Sequence, residues 1–235
     1  MCNTNVIPYI SLFSGYEGIG LGLKRIFGEA LRTVAYCERE AFAVANLVAK
    51  MEKGWLDEAP VFTDVRDFPW SEYAPFMAGG IMSFGFPCQP VSVAGKRKVA
   101  DDERWLFDVC ADGIEILRPR IAFAENVEGL LSARMPDGKP AIAHIFERLE
   151  AINYQVAAGI FSASEIGAPH RRKRVFILAH NNDQRGEELY RQKPIKQELN
   201  GWPARPGECQ HEWEPPRVVA DSACKLFHRK RPTRT

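Results

Sequence analysis

The 235-residue chain lacks several features that would have placed it at once. No apolar run approaches the ~20 residues needed to cross a bilayer. Its N-terminus, MCNTNVIPYI, has no basic-then-apolar leader layout. The six cysteines (Cys2, Cys37, Cys88, Cys110, Cys209, Cys224) are scattered, so they form no disulfide framework in a chain this long. A reducing, cytoplasmic setting is expected. Neither sign of charge is in excess: 31 Lys+Arg face 30 Asp+Glu, and a net charge of +1 does not by itself announce a nucleic-acid binder. There is no internal repeat and no GxGxxG dinucleotide fingerprint.

What is present is an alternation of strand-like and helix-like segments. VIPYISLFSG reads as a buried strand ending in a glycine turn, and GIGLGLKRIFG as a helix from Gly18 to about Phe27, closed by Gly28. RTVAYCE, PVFTDV, GGIMSFG, RIAFAENV, YQVAAGIFSA and RVFILAH read as further strands. REAFAVANLVAKM, DERWLFDVCADGIEIL (with Leu106, Val109, Cys110 and Ile114 apolar) and AIAHIFERLEAI read as helices between them. Alternation at these lengths implies crossover units, a largely parallel sheet and a nucleotide-like ligand at the carboxyl ends of the strands. After His180 the periodicity fades. Six of the 16 prolines fall in residues 181–235, where 11 Lys+Arg meet 8 Asp+Glu. The chain is therefore expected to hold one domain over 1–180, with 181–235 a linker or the beginning of another region.

Residues suited to chemistry collect at the predicted strand ends. Gly15, Gly18 and Gly20 in LFSGYEGIG would let backbone approach a ligand. Glu38 and Asp64 end the second and third strands; each is either a solvated loop acid or an acceptor for the ribose and adenine of an adenosine. Cys88 follows the fourth strand in GFPCQPVSVAGKRK. Flanking Gly85, Pro87, Gln89 and Pro90 argue against a buried mid-strand position, and Lys96, Arg97 and Lys98 would favour a thiolate. Glu125 closes the apolar strand IAFA, either desolvated and ready to donate a proton or paired to an arginine such as Arg118 or Arg120. GAPHRRKR, from Gly167 to Arg174, puts five basic residues before a strand, suiting phosphate or base contact. Cys209, His211, Cys224 and His228 are metal-ligand types, but C-x-H then C-x3-H is no familiar structural zinc spacing, and no metal is expected.

Taken together and in this order, these segments resemble the DNA cytosine-5 methyltransferase family over residues 9–180. SLFSGYEGIGLGL corresponds to its first motif, GFPCQPVSVAGKRK to its fourth, ENV to its sixth and GAPHRRKRVFILA to its eighth. The resemblance implies an α/β, Rossmann-like S-adenosylmethionine-dependent methyltransferase fold, mostly parallel, with helices on both faces. It also implies that Phe13 packs on the adenine of S-adenosylmethionine, with Gly15 and Gly18 lining the turn. Glu38 would then hold the ribose, Asp64 the adenine amino group, and Pro87 and Leu106 would border the cofactor. Cys88 would be the nucleophile at C6 of cytosine, and Glu125 would meet its N3 edge. Arg172 and Arg174 would match the paired arginines of the eighth motif, Arg174 reaching toward the base. The substrate would be double-stranded DNA with the target cytosine flipped out of the stack.

Three departures from the pattern stand out. Tyr16-Glu17 replaces a small apolar residue and a glycine, so an acid enters the cofactor turn. His170 replaces a glutamine. The family's target-recognition domain and last two motifs do not follow, so the chain is expected to be truncated or one half of a split enzyme whose second polypeptide supplies recognition, from a bacterium or its virus. Two alternatives are a tRNA cytosine methyltransferase, whose branch typically has threonine at the position of Ser92, and an inactive cofactor- or DNA-binding fragment.

Overall fold

A computed structural model of the chain describes residues 6–87 and 105–184. Of these, 161–173 fall in a separate compact unit from the rest. Cys88, the cations behind it and the four metal-ligand types near the C-terminus lie outside the described residues, as does nearly all of the region expected after residue 180.

The main unit is built on a seven-stranded sheet. Its strands are β1 (Ile7–Leu12), β2 (Leu31–Cys37), β3 (Val61–Phe62), β4 (Ile81–Phe84), β5 (Ile121–Val127), β6 (Tyr154–Ser162) and β7 (Lys173–Asn181), in the order β3-β2-β1-β4-β5-β7-β6. The pairs β1–β2, β1–β4, β2–β3 and β4–β5 are parallel, and β5–β7 is antiparallel. All six residues of β1 and all four of β4 are buried, as central strands covered on both faces require. Strand β5 instead alternates, with Ala122, Ala124 and Asn126 inward.

Helices cover both faces. On one, α3 (Trp70–Tyr73), α4 (Phe107–Leu117) and α5 (Ala141–Ala151) meet the cluster of Ile10, Leu12, Met82 and Phe84. The buried side of α4 is Phe107, Cys110, Ala111, Ile114 and Leu117, whereas Leu106 and Val109 are only half-buried. Of the four positions expected to be apolar there, Cys110 and Ile114 lie on the buried side, and Phe107, Ala111 and Leu117 complete it. On the other face, α1 (Gly18–Phe27) lies over Ile7, Tyr9, Leu31 and Ile81, and Leu47 and Met51 of α2 (Ala41–Glu52) lie over Tyr36. Helix α1 ends at Gly28, where φ is +59°. Strand β3 is shorter than PVFTDV suggests, because Asp64 caps the following single turn, Val65–Asp67, accepting from Arg66 N at 3.0 Å.

Strand order reverses at β1: β2 and β3 run out on one side, β4 and β5 on the other. In an open parallel sheet this switch point opens a crevice at the carboxyl ends of the strands. No helix among the described residues is long and apolar enough to cross a membrane.

Candidate active site

The carboxyl edge at the switch point gathers most of the residues expected to act. After β1 the chain turns through Phe13 (φ +53°), Gly15 (φ +52°) and Glu17 (φ +62°) before entering α1. Phe13 is half-buried against the core. Gly18 is exposed, with open space where a side chain would stand. Gly20 is different. It faces inward, and a Cβ there would overlap the Glu17 carboxylate and the Tyr9 ring, so its missing side chain makes room for protein rather than ligand.

From β2, Glu38 reaches across to this turn. One carboxylate oxygen accepts from Gly15 N at 2.7 Å and the other from Glu40 N at 2.8 Å. Each oxygen keeps an acceptor lone pair, which is what a ribose diol needs. Asp64, beyond β3, is held by Arg66 through both carboxylate oxygens, at 3.0 and 2.6 Å. Those bonds push its pKa down to about 2, so it is an ionised acceptor, and an adenine amino group would share it with Arg66. The two acceptor carboxylates and the open turn thus fit the adenosine end of S-adenosylmethionine.

A second cluster forms where β4 and β5 end and the antiparallel β7 begins. Strand register sets Val127 beside Arg174 and Glu125 beside Phe176. Glu125 Oε1 lies 2.6 Å from Arg174 Nε, so the partner of the acid is neither Arg118 nor Arg120. The other carboxylate oxygen of Glu125 lies beside Gly85, 3.6 Å from where a Cβ would stand. Asn126 Nδ2 donates to the Phe86 carbonyl at 3.1 Å. Glu125 and Asn126 therefore flank the segment that leads through exposed Pro87 to Cys88. Sequence reasoning passed over Asn126, although the alternation of β5 marks it as an inward amide in need of a partner. Leu106 is half-buried at the N-cap of α4. Arg172 belongs to the other unit, where it is exposed and its carbonyl accepts from Ala163 N at 3.0 Å.

Two cysteines occur among the described residues, Cys37 and Cys110, both free and buried. Burial, reinforced by the Asp64 and Glu38 carboxylates, pushes the Cys37 thiol up to about 12. Burial likewise pushes up Cys110. Both are inert core thiols at neutral pH. No group of three or more potential ligands that could hold a metal occurs among the described residues.

Residues 7–209 match the C-5 cytosine-specific DNA methylase family. The chain belongs to that family. A Type II methyltransferase of Neisseria gonorrhoeae, M.NgoBV, is 33% identical over 180 residues, 73% of this chain and 40% of the relative. M.HhaI of Haemophilus parahaemolyticus is 27% identical over 195 residues, 83% of this chain and 54% of the relative. The chain spans about half the length of such relatives, or less. Among solved structures, a Spodoptera frugiperda DNMT2 mutant superposes with a TM-score of 0.58 at 19% identity, over 76% of this chain and 51% of that one. Entamoeba histolytica EhMeth also gives 0.58, at 20% identity, over 74% and 53%. Both likenesses establish the Rossmann-like methyltransferase fold.

The acid that departs from the first motif turns away from the ligand side. Glu17 is 2% exposed and lies beneath the turn, between β1 and α1, where it accepts from Ser11 Oγ at 2.6 Å and Tyr9 Oη at 3.1 Å.

Proposed function

We propose that this chain carries the cofactor and base-binding machinery of an enzyme that methylates C5 of cytosine in double-stranded DNA. One observation carries the reading. The Glu38-held turn and the Glu125–Arg174 pair sit at one sheet edge, on the two sides of the switch point, with the segment entering Cys88 rooted between them.

Phe13, Gly15, Gly18, Glu38 and Asp64 would hold S-adenosylmethionine, with Pro87 and Leu106 at its border. When bound, it supplies a methyl group made electrophilic by the sulfonium. C5 of cytosine is too weak a nucleophile to take that methyl unaided. Addition of the Cys88 thiolate to C6 breaks the ring's aromaticity and makes C5 enamine-like, which is covalent catalysis. Glu125 hydrogen-bonds the N3 edge and shares a proton there, drawing off the charge that the sulfur pushes into the ring. Arg174 holds Glu125 in place and reaches toward the base, with Arg172 near it in sequence. Once C5 carries the methyl, loss of the C5 proton and of the thiolate restores aromaticity. A base within the duplex is out of reach, so the cytosine is flipped out. Sequence recognition is assigned to residues outside those described or to a second polypeptide, in keeping with the greater length of the relatives.

The test is trapping. The chain is mixed with S-adenosylmethionine and duplex DNA carrying 5-fluorocytosine, with and without a candidate recognition polypeptide, and run on a denaturing gel. Fluorine at C5 blocks the final elimination, so a covalent adduct is expected, absent in Cys88→Ala. A folded chain that gives no adduct in any combination, or one that methylates tRNA and not DNA, overturns the proposal.

A further inference from the structure

The turn after β1 is an awkward piece of backbone. Three of its five residues have positive φ, and two of those, Phe13 and Glu17, carry side chains. Left-handed conformations at such residues persist only where the surroundings over-determine them. Other ties come from outside the Glu17 side chain, among them Ser14 Oγ, which donates to Ser11 O at 2.9 Å and to Cys37 O at 3.3 Å. Ser14 N donates to Cys37 O at 3.1 Å, Gly15 N to Glu38 at 2.7 Å, Glu17 N to Ser14 O at 2.7 Å, and Lys50 Nζ to Tyr16 O at 2.7 Å.

Glycine would meet the φ requirement at position 17 without strain. A carboxylate that is 2% exposed is a costly substitute unless its bonds return something. Those bonds run into rigid structure: Ser11 and Tyr9 are on buried β1, and Tyr9 Oη lies 2.5 Å from Ser83 Oγ on β4. The parallel register places Ser11 opposite Ser83 and Tyr9 opposite Ile81, so the hydroxyls share one face beneath α1. Gly20 N–H of α1 also donates to the carboxylate, and a side chain at Gly20 would expel it.

We propose that Glu17 is a positioning residue for the cofactor turn: through Tyr9, Ser11 and the Gly20 amide its carboxylate locks the turn to β1, β4 and α1, and so holds Phe13 and Gly15 at the ligand edge. The inference rests on reading that turn as the S-adenosylmethionine site. Lys50 from α2 and Tyr36 from β2 are the other titratable groups that feel this carboxylate, and Lys24 lines a cavity of about 520 Å³ together with Glu17. Burial pushes the Glu17 carboxyl up to about 7, which matches its enclosed setting.

The test compares the full chain with Glu17→Gly and Glu17→Gln by calorimetric binding of S-adenosylhomocysteine and by hydrogen exchange. In Glu17→Gly the dissociation constant is expected to rise at least tenfold. Exchange at amides 14–18 should accelerate at least tenfold, with β4 and β5 unchanged. Glu17→Gln keeps hydrogen-bonding capacity and should stay within threefold on both readouts. If Glu17→Gly does not fold, Tyr9→Phe keeps the ring and removes one tie, and should weaken binding about threefold. A folded Glu17→Gly, or failing that Tyr9→Phe, with wild-type affinity overturns the proposal, as does unchanged exchange at 14–18 in Glu17→Gly whatever the ligand result. A wild-type chain that binds no S-adenosylhomocysteine overturns the cofactor reading instead.

Discussion

Glu17 and Glu125 are two acids that the fold treats in opposite ways. Glu17 is enclosed, and desolvation moves its pKa from 4.5 up to about 7. Below about pH 4.5 folded and unfolded chains both hold this proton. Between there and pH 7 the unfolded chain releases it first, so this group erodes stability as pH rises, by about 3 kcal/mol in all. The melting temperature of Glu17→Gln, relative to wild type, should therefore climb from pH 5 to pH 8; a constant difference would show that the carboxyl titrates normally. Glu125 meets its arginine at the open edge, with 27% of its side chain exposed. Arg174→Ala should lower the methylation rate about 100-fold, the scale of a misplaced acid–base group. It should leave S-adenosylhomocysteine affinity unchanged, because the pair stands on β5 and β7, with β4 between it and the β1 that carries the cofactor turn.

Helix α4 and strand β5 carry the next level. Gly113 lets α4 approach Trp70 of α3: a Cβ there would come within 2.5 Å of the indole. Gly113→Ala is expected to cost about 1–3 kcal/mol through overpacking, measured as a lower urea midpoint at unchanged slope. A gain in stability, the usual result of glycine to alanine on an open helix face, would refute the close packing. On β5, Asn126→Ala leaves the Phe86 carbonyl without its side-chain donor. A loss of about 1–3 kcal/mol is expected, together with slower trapping of 5-fluorocytosine, since Phe86 lies two residues before Cys88. Elements of this length were readable because hydrophobic period and caps agree, as at Gly18–Phe27 with Gly28 behind it. The short α3 was not, because its four residues hold barely more than one helical period of about 3.6 residues, too little for a pattern to repeat.

At the scale of the molecule, the strand order matters most. Strand β1 lies between β2 and β4, and this alone brings residues as far apart as Gly15, Glu38, Gly85 and Glu125 to one edge. A ligand that bridges the loops there binds only the folded chain. S-adenosylhomocysteine at 100 times its dissociation constant should then add about 2.7 kcal/mol. For a chain of this size that raises the melting temperature by roughly 5–10 °C. No shift at saturating ligand would count against the cofactor site.

By itself the sequence determined the alternation of strands and helices, the residue types at the strand ends and, through four spaced motifs, the family. These are local properties. Backbone periodicity and turn chemistry act over a few residues and leave their pattern in the chain. What only the tertiary structure decided is which groups meet. Glu125 is paired with Arg174, not with the arginines nearer in sequence, because β7 runs antiparallel beside β5 and its register brings residue 174 opposite residue 127. In the sequence Glu17 was simply an acid entering the cofactor turn. The left-handed turn and the hydroxyls of β1 draw it inward, and Gly20, which looked like ligand-facing backbone, is the space it occupies. Partners of this kind depend on register and side-chain direction across the sheet, which no window along the chain contains.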